Sequence, residues 1–128
     1  MAFADEYARQ AGLLLRCLPH VAKEDRFALK GGTAINLFIR NLPRLSVDID
    51  LTYLPVQPRA ESLAAVDAAM KRIAMRLYKT LGEAQTRITE MKTDGAVVKL
   101  IVRNAGSQIK IEVTPLLRGS VLSRNSVP

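Results

Sequence analysis

At 128 residues the chain has the length of one compact domain, and its makeup, 48% hydrophobic and 24% charged, is that of a soluble globular protein with enough apolar material for a core. No apolar run approaches the length of a membrane span, and the first residues, Met1-Ala2-Phe3-Ala4-Asp5-Glu6, lack the basic and apolar regions of a signal peptide, so a cytoplasmic protein is expected. The net charge of +7 favours a polyanionic partner (RNA, DNA or a nucleoside triphosphate), although a basic surface with no committed partner reads the same way.

In chain order, residues 4–18 read as a helix. Tyr7, Ala11, Leu14, Leu15 and Leu18 recur at helical spacing, and Asp5 and Glu6 sit favourably in the first turn. Pro19 and His20 are expected to end or kink it. Cys17 is the only cysteine, which rules out an internal disulfide and makes a buried, inert thiol the expectation. His20 is the only histidine, and with one distant cysteine it cannot build a zinc site, so a surface or capping role is expected. Phe27-Ala28-Leu29 is a short strand or extended lead into Gly31-Gly32, after which Ala34, Ile35, Phe38 and Ile39 stripe a helix over residues 32–41, stopped by Asn41-Leu42-Pro43.

Val47 to Leu54 reads as a strand, with Val47, Ile49 and Leu51 on one face, Asp48 and Asp50 on the other, and Pro55 and Pro58 at its exit. The longest helix spans 60–81, with Leu63, Val66, Met70, Ile73, Leu77 and Leu81 on its apolar side and Gly82 as its stop. Its Arg72, Arg76 and Lys79 form either a solvated basic face or an acceptor-binding one. Strands are expected over 85–91, 96–103 and 108–114. The first turn is centred on Asp94-Gly95 and lengthened by Lys92 and Thr93, and the second lies at Asn104-Ala105-Gly106-Ser107. The expected division is a folded catalytic unit over 1–114 and an extended or poorly ordered tail over 115–128.

The chemistry concentrates between Leu29 and Leu54. A glycine pair that opens a helix offers unpaired backbone N–H groups at the positive end of the helix dipole, a setting for phosphate. Two carboxylates two residues apart on a strand project from one side and suit Mg²⁺, which prefers carboxylate and phosphate oxygens. Gly31 and Gly32 are therefore candidate phosphate binders, with a simple tight turn as the alternative. Thr33 is a helix cap, a phosphate donor, or both. Lys30, Arg44 and Ser46 flank the same place; Arg44 suits bidentate phosphate contact or is a solvated loop residue, and Ser46 contacts ligand or caps the loop. Further on, Ile109-Lys110-Ile111-Glu112-Val113 repeats the layout, apolar on one side with Lys110 and Glu112 on the other. If this strand neighbours Val47–Leu54, Glu112 joins Asp48 and Asp50 in a cluster that cations must neutralise, and Lys110 offsets part of its charge.

Gly31-Gly32 followed by Asp48-Ile49-Asp50 resembles the signature of the DNA polymerase β-like nucleotidyltransferases. The fuller string, Leu29-Lys30-Gly31-Gly32-Thr33-Ala34 through Arg44-Leu45-Ser46-Val47-Asp48-Ile49-Asp50-Leu51, resembles more narrowly the AbiEii-type abortive-infection toxins, here a short or truncated member. The resemblance implies that Asp48, Asp50 and Glu112 hold two Mg²⁺ ions. Glu112 would ligate the ion nearest the attacking hydroxyl or accept its proton, while Gly31, Gly32, Thr33, Lys30, Arg44, Ser46 and Lys110 hold the NTP. Many relatives carry Asp where this chain has Glu112.

The expected fold is therefore an α/β (α+β) domain, a mixed sheet of four or five strands with helices on one face and carboxylates on the other. The expected function is Mg²⁺-dependent transfer of an NMP from an NTP to an acceptor hydroxyl of RNA, with tRNA favoured, or of protein. It would act as the toxin of a toxin–antitoxin or abortive-infection system, with an antitoxin and a homodimer among its expected partners. The alternative is a degenerate or incomplete domain that binds nucleotide or RNA, or serves as an interaction module. A small antibiotic-modifying transferase would share the chemistry, but its acidic acceptor pocket sits poorly with +7.

Overall fold

A computed structural model of the protein describes residues 2–29 and 47–117. Their elements are α1 (Ala2–Ala22), β1 (Phe27–Leu29), β2 (Val47–Gln57), α2 (Arg59–Leu81), β3 (Thr86–Thr93), β4 (Ala96–Asn104) and β5 (Ser107–Leu117). The strands form one five-stranded sheet in the order β1-β2-β5-β4-β3. β2 and β5 are parallel neighbours, and the other pairs are antiparallel, so the sheet is mixed as expected. The helix expected over 32–41 lies outside the described residues. No described helix is long and apolar enough to cross a membrane.

Both helices pack on the same face of the sheet. α2 presents Val66, Met70, Ile73, Leu77 and Leu81, spaced by three or four, and all are buried. α1 adds Leu13, Leu14, Cys17 and Val21. They close over Ile49, Leu51, Tyr53, Leu100, Val102, Ile109, Ile111 and Val113, the inward residues of β2, β4 and β5. Each such aliphatic side chain contributes roughly 1.5–3 kcal/mol by leaving water. Burial pushes the Cys17 thiol up to about 12, which keeps it protonated and unreactive.

Several boundaries differ from the sequence reading. α1 does not end at Pro19 but runs through it to Ala22. Val21 keeps the buried stripe going beyond the proline, and Pro19 itself is exposed, so tertiary packing outweighs the missing hydrogen bond. β2 likewise continues through Pro55 to Gln57. The register with β5 shifts between Tyr53 and Gln57, and a strand tolerates a residue without an N–H at such an irregularity. The β3–β4 loop is two residues, Asp94 (φ 54°) and Gly95 (φ 82°), because Lys92 and Thr93 remain paired in β3. Positive φ at both positions gives a turn whose twist matches the hairpin. β5 extends past Thr114 to Leu117.

Side chains tie the helices to the sheet. Glu24, just after α1, accepts from Arg72 (2.7 Å) and Arg76 (2.7 Å) of α2, and these guanidiniums, Arg72 foremost, hold its carboxyl below the usual range. Asp67 of α2 accepts the Val97 backbone N–H at 2.8 Å, which lowers its pKa. Buried Gln10 of α1 bonds both backbone groups of Gln108, accepting from its N–H at 3.2 Å and donating to its carbonyl. Gln108 stands one residue ahead of the first β2–β5 pair, Val47 with Ile109, so α1 is anchored where the parallel pairing begins.

Candidate active site

The parallel register of β2 and β5 builds the site. Asp48 lies opposite Lys110, and Asp50 opposite Glu112. Neighbouring strands stand about 4.8 Å apart, and side chains alternate between the two faces of a sheet. Ile49, Leu51, Ile111 and Val113 go into the core, so Asp48, Asp50, Lys110 and Glu112 must share the other face, on which no described helix packs. All four are half-buried, shielded by the sheet yet open to solvent on one side.

β4 completes the constellation with a residue the sequence reading missed. Lys99 lies opposite Glu112 and places its ammonium 4.0 Å from Glu112 Oε2. Lys110 stands 4.0 Å from Asp48 Oδ2 in the same way. The signal for Lys99 was present in the sequence, a lone charge between Val98 and Leu100 in an apolar strand. It could not be assigned a partner without the β4–β5 register.

The structure thus brings Asp48, Asp50, Glu112 and Lys110 onto one face. Lys30, Gly31, Gly32, Thr33, Arg44 and Ser46 lie outside the described residues. Among the described residues no three His, Cys, Asp or Glu side chains are gathered closely enough to cage a metal. Asp48 and Glu112 each lean on a lysine instead. The donor set nevertheless fits a hard divalent cation: its groups are carboxylate oxygens, and the two ammonium groups against them mark where the face calls for positive charge.

The family profile described as "Nucleotidyl transferase AbiEii toxin, Type IV TA system" matches residues 13–128. The chain belongs to this family. The match takes in β2 and β5 with their carboxylates, and the C-terminal part of α1 from residue 13. A search of curated proteins finds no match. The family is one of nucleotidyltransferase toxins of type IV toxin–antitoxin systems, and a five-stranded mixed sheet with carboxylates on the face away from α1 and α2 suits that chemistry.

Proposed function

We propose that the protein is a Mg²⁺-dependent nucleotidyltransferase that moves an NMP from an NTP to an acceptor hydroxyl and releases pyrophosphate. The observation that carries this reading is the pairing of Asp50 with Glu112 at one level of adjacent parallel strands, with Asp48 two residues before Asp50 on the same face. Asp48, Asp50 and Glu112 would hold the cation, which when bound supplies charge neutralisation at the phosphoryl oxygens.

The chain's own residues do the rest. Asp48 and Asp50 present their carboxylates from a strand held by β5 at both residues and by β1 from Leu51 onward, so their orientation is set before substrate arrives. Glu112 lies across from Asp50 and reaches one methylene further than an aspartate would, placing it to accept the proton of an attacking hydroxyl. Lys110 and Lys99, released from the carboxylates once these are otherwise neutralised, are placed to hold phosphate oxygens. Gly31, Gly32 and Thr33, with Lys30, Arg44 and Ser46, are the proposed remaining binders of the triphosphate. In the toxin setting the outcome is growth arrest opposed by an antitoxin, with RNA, tRNA above all, as acceptor or else a protein.

The test is incubation with total tRNA, Mg²⁺ and each of the four α-³²P-labelled NTPs, comparing wild type with the double variant Asp48→Ala/Asp50→Ala. Label that enters RNA only with wild type supports the reading and names the base. Label that enters protein moves the acceptor to a protein side chain. Mg²⁺-dependent NTP binding with no label transferred overturns the enzyme reading in favour of a binding domain.

A further inference from the structure

Four of the five basic side chains of α2 are neutralised from within, Arg59 by Asp94, Lys71 by Asp67, and Arg72 and Arg76 by Glu24, and Lys79 is the fifth. Around the β4–β5 turn the opposite holds. Arg9 and Arg16 of α1, Arg87 of β3 and Arg103 of β4 are all exposed, and no carboxylate whose side chain is described lies within ion-pair distance of Arg16, Arg87 or Arg103. The other contacts seen are modest. Arg16 reaches the Thr80 carbonyl at 3.5 Å, and Arg103 donates to Gln108 Oε1 at 2.9 Å.

Their arrangement is organised. Arg9 and Arg16 are seven residues apart, on one stripe of α1 and about 10.5 Å apart along its axis. With Gly12 between them and Asn104 and Ser107 opposite, they line a depression of about 250 Å³ beside the turn. On the face away from α1 and α2, Arg87 and Arg103 sit directly across from one another in the antiparallel β3–β4 pair. Like charges in that relation destabilise a sheet unless something anionic relieves them. The turn that follows β4, Ala105-Gly106, borders the depression through Ala105, and both of its residues are small. Arg103 is level with Gln108, two residues or about 6.6 Å along β5 from the row of Asp48 and Lys110.

We infer that this arginine arc is the docking surface for the phosphodiester backbone of an RNA, which it leads across the β4–β5 turn onto the face of Asp48, Asp50 and Glu112. Arginine forks match phosphate oxygens in two-point contacts. The arc is longer than a triphosphate and wraps two faces, so it fits a polymer rather than a free nucleotide. A protein partner would need an apolar centre, and the apolar side chains lining the depression are Leu13, only 4% exposed, and the single methyl of Ala105. The role of the RNA as acceptor rests on the transferase reading, whereas its binding does not.

The experiment is fluorescence anisotropy with fluorescein-labelled unfractionated tRNA in KCl from 50 to 200 mM. It compares wild type with Arg9→Gln/Arg16→Gln, with Arg87→Gln/Arg103→Gln, and with Arg59→Gln/Lys71→Gln as the ion-paired control. Each phosphate contact contributes about 0.7–0.9 to the slope of log K against log salt, so each arginine pair lowers that slope by roughly 1.4–1.8. The control leaves it unchanged. All the replaced side chains are exposed, and thermal melts confirm that the variants fold. No tRNA binding by wild type, or arginine pairs that behave like the control, would overturn the inference. So would polyglutamate binding that loses the slope while tRNA binding keeps it, since that assigns the arc to an acidic protein. A wild type that transfers no nucleotide yet shows the slope loss sinks the transferase reading alone, and active transfer with an unchanged slope sinks the arc alone.

Discussion

On β2 and β5, one step along the chain crosses from a residue that holds the fold to one that faces the chemistry. Ile49, Leu51, Ile109 and Ile111 are sealed beneath α1 and α2. Asp48, Asp50, Lys110 and Glu112 alternate with them and face away from the helices, half-buried, with Asp48 against Lys110 and Asp50 level with Glu112. The two faces share every backbone hydrogen bond, so the strands cannot shift to suit one without moving the other. A parallel pair buried on one side is therefore a rigid mount for carboxylates on the other. Stability and activity should separate along this line.

The largest separation is expected at Asp50. Asp50→Asn should lower nucleotide transfer by about a thousandfold or more, the scale of losing a charge-stabilising group. Its stability in urea should stay within about 0.5 kcal/mol of wild type, because a half-exposed side chain is exchanged for one of equal size. Ile111→Ala, one residue from Glu112, should do the reverse. It removes a fully buried side chain and should cost about 2–5 kcal/mol in a urea melt, with the activity of the folded fraction retained. Equal activity losses in both variants at matched folded fraction would erase the distinction between the faces.

A smaller effect is expected at the clamp joining the helices. Glu24→Gln should cost about 1.5–3 kcal/mol at pH 7, the range for hydrogen bonds to charged groups. The carboxyl of Glu24 titrates lower in the folded protein than in the unfolded chain. The unfolded state therefore binds more protons in the acid window, and stability rises with pH there. The contribution is complete above the unfolded value of 4.5 and is lost as pH falls through the lower folded value. Melts from pH 7 down to pH 3 should show wild type losing its advantage over Glu24→Gln; a constant gap would refute the clamp. Least of all, Ala105→Gly should stabilise by about 0.5–1 kcal/mol, since Ala105 holds φ 48° in a region that favours glycine. A lower melting temperature in that variant would show that the turn prefers the alanine.

The alternation at Asp48-Ile49-Asp50 and Lys110-Ile111-Glu112 was legible because period-two patterning needs no knowledge of neighbours. The apolar stripe of α2 was legible for the same reason, at its own period. Pairing was not. Nothing local in β2 says that β5 is its parallel neighbour, and the register that sets Asp50 against Glu112 follows from crossovers and packing. Lys99 was missed on that account. Pro19 and Pro55 misled for the converse reason, since local rules for proline stop an element that distant contacts keep going. The two-residue turn at Asp94-Gly95 was read as longer because Lys92 and Thr93 look like loop residues, yet they pair at the edge of the sheet.

The central claim is that Asp50 and Glu112, from strands far apart in sequence, act as one cation site. Mn²⁺ binding followed by electron paramagnetic resonance, with and without NTP, tests it most directly in wild type, Asp50→Asn and Glu112→Gln. The account predicts that both single variants lose Mn²⁺ affinity and that the double variant loses little more than either, as members of a single site should. Mn²⁺ binding unchanged by Glu112→Gln, or losses that simply add, would mean that the two carboxylates are neighbours on a sheet and nothing more.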